Sequence, residues 1–353
     1  MTAPGWTVAA RAALTRLIRA GRGRRLAVAF DFDNTLVWGD IGEATLAMLV
    51  RQRVLRPRRI LPAHRESFRT RAGTAVRLRS SADIIHYYET LIDSSVHAAS
   101  DPAPLATGYV WAVEVMEGLS PQEIVGGTAA AFARSAPGED RRLAAIPGTP
   151  AYPLPFFYPE MVELVGQFLR HDFDVWVVSA SNVWTVRWMV AHGLNPLLRA
   201  GAGVPGIPPE RVVGVATLLT DADGRLHKDA VLVREDSGYA ALDPAALDRF
   251  RLSGRLQFPV STYSGKVSCL FDALGERPYF AAGDSPGDHA MLAYARHRLW
   301  IARTDKIGAL QATMALRKRS PDPANWIFQP VATRGRPGFL PEGDPGVAAV
   351  VNG

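Results

Sequence analysis

The feature that most constrains the fold is an apolar run that ends in a cluster of carboxylates. Residues Leu26 to Phe30 are all apolar, and Asp31, Asp33 and Asn34 follow them closely. A short apolar run bounded by polar residues predicts a buried strand. Because side chains alternate along an extended chain, Asp31 and Asp33 would point to one face if the strand continues. The competing interpretation is a strand that ends in an Asp-Asn turn, since both residue types favour turns.

Alternation of further apolar runs with helical segments predicts the fold class. Asp174–Ser181 and Pro278–Ala282 are predicted strands, and a helical pattern starting at Pro159 precedes the first of them. Further strands are predicted at Val212–Leu219 and Arg298–Ala302. This order is typical of an α/β protein with a Rossmann-like parallel sheet covered by helices. Ligands of such open sheets bind at the carboxyl ends of the strands, so the polar residues at those ends are the candidate site.

The region directly after the first strand predicts an inserted, mainly helical cap domain. Ser120 and Glu123 form a capping-box pattern around Pro121, which predicts that a helix begins there. No strand is predicted within this region. The predicted divisions of the chain are 1–38 for an N-terminal helix and the first core strand, 39–150 for the cap, 151–318 for the remaining core, and 319–353 for a partly disordered C-terminal segment.

Composition and charge narrow the class of protein. The chain has 353 residues, is 48% hydrophobic, and has a single cysteine, so it cannot form an internal disulfide. No apolar run approaches the roughly 20 residues that cross a bilayer. We therefore expect a cytoplasmic protein with no membrane partner. The net charge is +6, and Arg51–Arg79 holds ten arginines, which are either an anion-facing surface or a solvated arginine face.

Four polar sites fall, in order, at the ends of predicted buried elements. They are the segment Asp31-Phe32-Asp33-Asn34-Thr35, Ser179 after Val177-Val178, Lys266 at a helix start, and Gly283-Asp284-Ser285-Pro286-Gly287-Asp288. This ordered set resembles the four motifs of the haloacid dehalogenase superfamily of phosphohydrolases. The resemblance covers about residues 25 to 315, and the insert matches the cap position of the phosphoserine-phosphatase-like branch.

The resemblance implies a role for each carboxylate. Asp31 would be the nucleophile that forms an aspartyl-phosphate, and Asp33 would protonate the leaving alcohol and then activate water. Asp284 would bind Mg²⁺ directly, and Asp288 would bind it or orient its waters. Asp31 and the backbone carbonyl of Asp33 would complete the metal site. Mg²⁺ prefers oxygen ligands of this kind.

The resemblance also implies how the phosphate is held. Ser179 and the backbone amide of Ala180 would bind phosphoryl oxygens near the start of a helix, where anions are favoured. Lys266 would offset the clustered aspartates and contact the phosphate. Phosphoryl transfer needs mainly such positioning and charge stabilisation.

The resemblance implies a small phosphorylated metabolite as the substrate, since capped members with this insertion position usually act on such compounds and a closed cap excludes larger ones. A weaker resemblance to bacterial phosphorylcholine phosphatases suggests an aromatic cage for a quaternary ammonium group. The candidate cage residues are Trp38, Tyr87, Tyr88, Tyr109 and Trp111. The alternative is that these rings pack the cap helices together, and phosphoserine, phosphocholine and phosphoethanolamine all stay open.

Two other functions are consistent with parts of the sequence. One is a phosphotransferase that passes the phosphoryl group to an acceptor other than water. The other is a non-catalytic protein that binds nucleic acid or another anion through its arginine-rich segment. The complete set of catalytic motifs argues against nucleic acid as the partner.

Overall fold

The centre of the protein is a seven-stranded sheet that is parallel except at one edge. The computed structural model describes residues 1–55, 67–69, 75–77, 80–97 and 108–342. Strands and helices are numbered here in chain order. The strands of the main sheet are β1 (Ala27–Phe30), β8 (Asp174–Asn182), β9 (Val212–Val215), β13 (Phe280–Gly283), β14 (His297–Arg303), β15 (Trp326–Ala332) and β16 (Gly338–Phe339). Their spatial order is β16-β15-β14-β13-β1-β8-β9, and only β16 runs antiparallel to its neighbour.

Strand β1 lies in the middle of this sheet, and all four of its residues are buried. Val28 pairs with Phe280 of β13 on one side and with Val175 of β8 on the other. Helices cover both faces of a parallel sheet, so its strands are apolar throughout rather than alternating. The predicted α/β fold with a Rossmann-like parallel sheet is therefore confirmed.

The helices outside the insert belong to the layers around this sheet. They are α1 (Val8–Gly21), α6 (Pro159–Arg170), α7 (Val183–Trp188), α8 (Asn195–Ala202), α12 (Gly265–Leu274), α13 (His289–Tyr294) and α14 (Ile307–Arg319). The apolar stripe of α1 is buried, and the hydroxyl of Thr7 accepts a hydrogen bond from the backbone N–H of Ala10 as its N-cap. Helix α6 starts at Pro159, as predicted. Among the described residues, no helix combines the length and the apolar character needed to span a bilayer.

The segment after β1 is mainly helical, as predicted. Its helices are α2 (Ile41–Arg51), α3 (Ser81–His97), α4 (Gly108–Glu114) and α5 (Pro121–Phe132). The capping box is present at the start of α5, where Ser120 and Glu123 each accept a hydrogen bond from the other's backbone N–H. The domain boundaries at 39 and 150 stay predictions.

Short paired strands also occur in and around this segment, where the sequence predicted none. They are β2 (Val37–Trp38), β3 (Ser67–Arg69), β4 (Ala75–Arg77), β5 (Arg142–Ala144), β6 (Ala151–Pro153) and β7 (Phe156–Phe157). Strand β2 pairs with β7, so the beginning and the end of the insert meet beside the core. Strands of two or three residues are too short to show a period of two.

Most of the arginine-rich segment Arg51–Arg79 lies outside the described residues. The structure describes 51–55, 67–69 and 75–77 of it. Its two interpretations, an anion-facing surface and a solvated face, therefore stay predictions.

A second excursion from the core follows β9. It consists of the antiparallel strands β10 (Thr217–Thr220), β11 (Leu226–His227) and β12 (Arg251–Leu256) with the helices α9 (Asp229–Glu235), α10 (Ser237–Ala240) and α11 (Pro244–Leu247). The predicted single strand Val212–Leu219 is therefore two strands in different sheets. The excursion joins the insert, because the N–H of Gly118 donates to the carbonyl of Leu252 and the N–H of Leu252 donates to the carbonyl of Leu119, both at 2.8 Å.

The C-terminal segment contributes two strands to the main sheet. Residues 326–332 and 338–339 form β15 and β16, although the sequence analysis assigned no strand after residue 319. Residues 343–353 lie outside the described residues, so the partial disorder expected for 319–353 stays a prediction.

Candidate active site

The chain turns sharply where β1 ends, which brings Asp31 and Asp33 into one cavity. The N–H of Asp31 donates to the carbonyl of Ala282 at 3.0 Å, so pairing with β13 continues to that residue. Asn34 has a left-handed backbone with φ of 57°, and its N–H donates to the carbonyl of Gly39 at 3.0 Å. The strand thus ends at Phe30 and an Asp-Asn turn follows, so the continued strand is wrong and the turn is correct, although both carboxylates line the same cavity.

A buried lysine links two of the predicted site aspartates. The Nζ of Lys266 lies 2.6 Å from Oδ1 of Asp31 and 2.6 Å from Oδ1 of Asp288. The second oxygen of Asp31 accepts a hydrogen bond from the hydroxyl of Thr35 at 2.9 Å. Burial and the neighbouring Asp288 raise the pKa of Asp31 to about 7, although Lys266 opposes this. Burial alone would lower the pKa of Lys266, but the two carboxylates hold it above its usual value.

The loop after β13 orders Asp288 through three donors. Its Oδ2 accepts hydrogen bonds from the N–H of Asp284 at 3.1 Å, and from the N–H and the hydroxyl of Ser285 at 3.1 and 3.2 Å. Gly283 makes this closeness possible, because a Cβ at that position would lie 2.5 Å from the Cβ of Asp288. With Oδ1 bound to Lys266, both oxygens of Asp288 are occupied.

Arg303 is a site residue that the sequence analysis missed. Its Nη1 lies 3.1 Å from Oδ2 of Asp284, and its side chain lines the same cavity. Burial raises the pKa of Asp284 to about 7, although the positive charge of Arg303 opposes this shift. The available signal was its position at the end of the predicted strand Arg298–Ala302, at the edge that carries the other site residues.

The grouped aspartates fit a divalent cation. Asp31, Asp284 and Asp288 are all buried, and one oxygen from each lies within 4.8 Å of the others. Their mutual repulsion contributes to the raised pKa values of Asp31 and Asp284, so the group lacks positive charge even with Lys266 and Arg303 present. Carboxylate oxygens are the ligands that Mg²⁺ prefers. The donor set therefore fits the predicted Mg²⁺.

Asp33 is held separately from that group. Its Oδ1 accepts a hydrogen bond from the N–H of Ile41 at 2.8 Å, and its Oδ2 accepts from the hydroxyls of Ser181 at 2.7 Å and Ser179 at 3.1 Å. Burial, followed by repulsion from Asp40, raises the pKa of Asp33 to about 8. A carboxyl group with such a pKa can hold a proton at neutral pH and release it.

Of the predicted phosphate-binding residues in β8, Ala180 lines the cavity and Ser179 lies behind it. Ala180 lines the cavity, and so does Ser181, which the sequence analysis did not single out. The fully buried Ser179 points its hydroxyl at Asp33, and that oxygen also accepts from the N–H of Ser181 at 3.0 Å. The phosphate-binding role of Ser179 and Ala180 stays a prediction.

A second, acidic cavity opens from the first. The second cavity shares Asp40, Tyr109, Ala180 and Ser181 with the cavity at Asp31. Glu43, Tyr88 and Met116 are among the residues that line only the second cavity. Among the described residues that line it, none is a lysine or an arginine.

Two carboxylates in this wall were not predicted from the sequence. Asp40 is the N-cap of α2 and accepts a hydrogen bond from the N–H of Glu43 at 2.9 Å. Glu43 accepts from the hydroxyl of Tyr88 at 3.1 Å. Burial raises the pKa of Asp40 well above its usual range, and burial together with Glu89 raises the pKa of Glu43 to about 7. A positive charge placed in this cavity would therefore be stabilised.

The structure separates the five candidate cage residues into two groups. Tyr88 and Tyr109 line the second cavity. Trp38 is buried and stacks at a tilt on Phe156 with 5.5 Å between ring centroids. Tyr87 and Trp111 are buried against each other, with 4.8 Å between their centroids. Of the five candidates, Tyr88 and Tyr109 line a cavity, whereas the other three rings pack within the core and line neither one, and the cage itself stays a prediction.

Comparison with known proteins finds likeness in structure only, since no family model and no curated protein matches the chain. A protein of unknown function from Anaerococcus prevotii DSM 20548 has 18% sequence identity and a TM-score of 0.60, over 98% of this chain and 98% of that chain. A protein of unknown function from Bordetella pertussis Tohama I has 15% identity and a TM-score of 0.46, over 86% of this chain and 97% of that chain. A substrate-bound phosphoserine phosphatase has 12% identity and a TM-score of 0.35, over 78% of this chain and 86% of that chain. The Anaerococcus protein thus shares the fold over its whole length.

Proposed function

We propose that this protein is a phosphomonoester hydrolase of the haloacid dehalogenase superfamily, with Asp31 as its nucleophile. The observation that carries the proposal is the convergence of Asp31, Lys266 and Asp288 through two 2.6 Å contacts, beside Asp33 and Asp284 in one cavity. These residues come from segments that are far apart in the chain. Their order and types are those of the superfamily motifs.

The proposed reaction has two steps. An oxygen of Asp31 forms a bond to phosphorus while the bond from phosphorus to the alcohol oxygen breaks, and Asp33 gives its proton to that oxygen. Asp33 then takes a proton from a water molecule whose oxygen attacks the same phosphorus, which releases Asp31 and inorganic phosphate. A carboxylate nucleophile and a separate proton-transfer group divide one difficult displacement into two easier ones.

The surrounding charges make the approach of two anions possible. Lys266 contacts Asp31 directly and holds it beside Asp288. Asp31, Asp284 and the backbone carbonyl of Asp33 would hold Mg²⁺, and Asp288 would bind it or orient its waters. When bound, Mg²⁺ supplies the positive charge that the aspartates and the phosphate need. The backbone of Ala180 would receive a phosphoryl oxygen.

The acidic second cavity supports a substrate with a cationic alcohol group. Asp40 and Glu43 line this cavity together with the candidate cage residues Tyr88 and Tyr109, and Asp40 and Tyr109 also line the cavity at Asp31. Carboxylates and aromatic faces both attract ammonium groups. Phosphoserine also carries a carboxylate, and the described residues of this cavity offer it no cation. We therefore favour phosphoethanolamine and phosphocholine over phosphoserine.

The proposal is tested by measuring phosphate release from these three esters and from ethyl phosphate, which lacks the cationic group. The wild type with Mg²⁺ should release phosphate, and Asp31→Asn should abolish turnover while the protein stays folded. Absence of turnover in the wild type across the panel, or turnover by Asp31→Asn, would refute the proposed function.

The substrate class is tested with Glu43→Gln, which keeps an acceptor for Tyr88 but removes the charge. KM for phosphoethanolamine should rise about tenfold, because a hydrogen bond or ion pair to a charged group contributes about 1.5–3 kcal/mol. KM for ethyl phosphate should stay unchanged. An equal change for both esters would contradict the cationic pocket and leave the hydrolase proposal intact.

A further inference from the structure

Ser181, near the end of β8, has contacts that the proposed reaction does not yet explain. Its hydroxyl donates to Oδ2 of Asp33 at 2.7 Å, which is shorter than the 3.1 Å bond from Ser179 to the same oxygen. Its own N–H is bound to the hydroxyl of Ser179 at 3.0 Å. Ser181 is 7% exposed and lines both cavities.

Two separate elements meet at the side chain of Asp33. Strand β8 supplies the two serine hydroxyls to Oδ2, and the N-terminus of α2 supplies the N–H of Ile41 to Oδ1 at 2.8 Å. Donors on both oxygens fix the plane of the carboxyl group. Proton transfer requires such fixed geometry, because the acid must be within hydrogen-bond reach of the leaving oxygen.

The first turn of α2 lies close to the side chain of Ser181. A Cβ at Gly42 would lie 2.4 Å from the hydroxyl oxygen of Ser181 and 3.1 Å from its Cβ. Gly42 has no left-handed backbone, so close approach to Ser181 is the reason for a glycine here. Ser181 is therefore in close contact with Gly42 at the start of α2 as well as with Asp33.

We propose that Ser181 is the positioning residue for Asp33, and that it orients this carboxyl group for proton transfer to the leaving alcohol. The inference rests on the proposed function. A residue that only packs would affect all substrates alike. A residue that orients the acid should matter most where the leaving group needs a proton.

The experiment compares two phosphate esters that differ in this need. 4-Nitrophenyl phosphate has a leaving group that departs without protonation, whereas ethyl phosphate releases a basic alkoxide. Ser181→Ala should lower kcat/KM for ethyl phosphate at least about tenfold more than kcat/KM for the nitrophenyl ester, within the range that general acid catalysis supplies. The ratio kcat/KM is compared because it reports the steps up to departure of the alcohol, whereas hydrolysis of the aspartyl-phosphate is common to both esters.

A matched control removes another buried hydroxyl that contacts the same strand. Ser261 lies before α12, is fully buried and donates to the carbonyl of Ser179 in β8 at 2.7 Å, with no bond to Asp33. Ser261→Ala should change kcat/KM for both esters by the same factor. Thermal unfolding of both variants checks that each is folded.

Gly42→Ala tests the same contact from the other side, should Ser181→Ala fail to fold. It displaces the hydroxyl of Ser181 and should show the same preference for the nitrophenyl ester. In the Ser181→Ala background it should add little further selectivity. Equal losses for both esters in an active enzyme would overturn the role of Ser181 alone, whereas a wild type that hydrolyses neither ester would overturn the proposed function and this inference with it.

Discussion

Replacement of Lys266 by methionine tests the electrostatics of the site directly. The Nζ of Lys266 lies 2.6 Å from both Asp31 and Asp288, and these three side chains are only 3%, 7% and 1% exposed. Methionine keeps most of the volume, so the main loss is the charge. Removing one partner from a buried ion pair costs about 3–5 kcal/mol, because the remaining charge is left without compensation. We expect the free energy of unfolding of Lys266→Met to fall by about that amount at pH 8 without metal.

The loss should depend on pH in a defined direction. The pKa of Asp31 is about 7 in the folded protein against an ordinary 3.8, and loss of Lys266 removes an opposing cause and raises it further. A carboxyl group whose pKa is raised by folding favours the folded state as long as it is protonated there. This contribution to the free energy of unfolding is fully present at low pH and is lost as the pH rises through the folded-state pKa. At pH 5 the proton on Asp31 replaces the lysine charge. The loss should then shrink to about 1–2 kcal/mol, which corresponds to the missing hydrogen bonds.

Urea unfolding at pH 5 and pH 8 in the presence of a chelator measures both values. Lys318→Met is the control, since Lys318 is exposed and should change stability by less than about 0.5 kcal/mol. The reasoning is refuted if Lys266→Met loses the same free energy at both pH values, or less than about 1 kcal/mol at pH 8.

Three further measurements test other parts of the site. Glu43→Gln should raise the free energy of unfolding by about 1–3 kcal/mol at pH 8 and hardly at pH 5. Burial raises the folded-state pKa of Glu43 to about 7, so an ionised Glu43 costs stability above that pH. Urea unfolding at both pH values measures the two gains, and equal gains would contradict the prediction. Gly283→Ala should lower the free energy of unfolding by about 1–3 kcal/mol, since its Cβ would lie 2.5 Å from that of Asp288, and Gly308→Ala, where a Cβ meets nothing, is the control. Mg²⁺ at a hundred times its Kd should add about 2.7 kcal/mol to the unfolding free energy of the wild type. Titration calorimetry should show that Asp284→Asn binds Mg²⁺ more weakly, and unchanged binding would exclude Asp284 as a ligand.

The fold class and the centre of the site were predictable from short stretches of sequence. A buried parallel strand is a continuous apolar run, so β1, β8 and β13 were visible as such. Their polar ends had to meet, because the carboxyl ends of parallel strands share one edge of a sheet. This is why Asp31, Lys266, Asp284 and Asp288 could be expected together before any distance was known.

The contacts that complete the site have no such local signal. Ser181 and Asp33 are 148 residues apart, and Arg303 at the end of β14 contacts Asp284, which follows β13. Asp40 looks like an ordinary helix N-cap, and Glu43 like an exposed residue of its first turn. Only the packing of α2 against the end of β8 shows that both face a cavity.

The candidate cage residues show what the sequence pattern could not distinguish. Aromatic rings at helical spacing are equally suited to packing and to a binding site, so the sequence could not separate Tyr88 and Tyr109 from Trp38, Tyr87 and Trp111. What the sequence by itself determined is the sheet and the edge that carries the candidate site, because the strand pattern and the motifs are local and the topology forces them together. What only the tertiary structure decided is which side chains surround that edge, because those contacts join segments whose spacing in sequence says nothing about their distance in space.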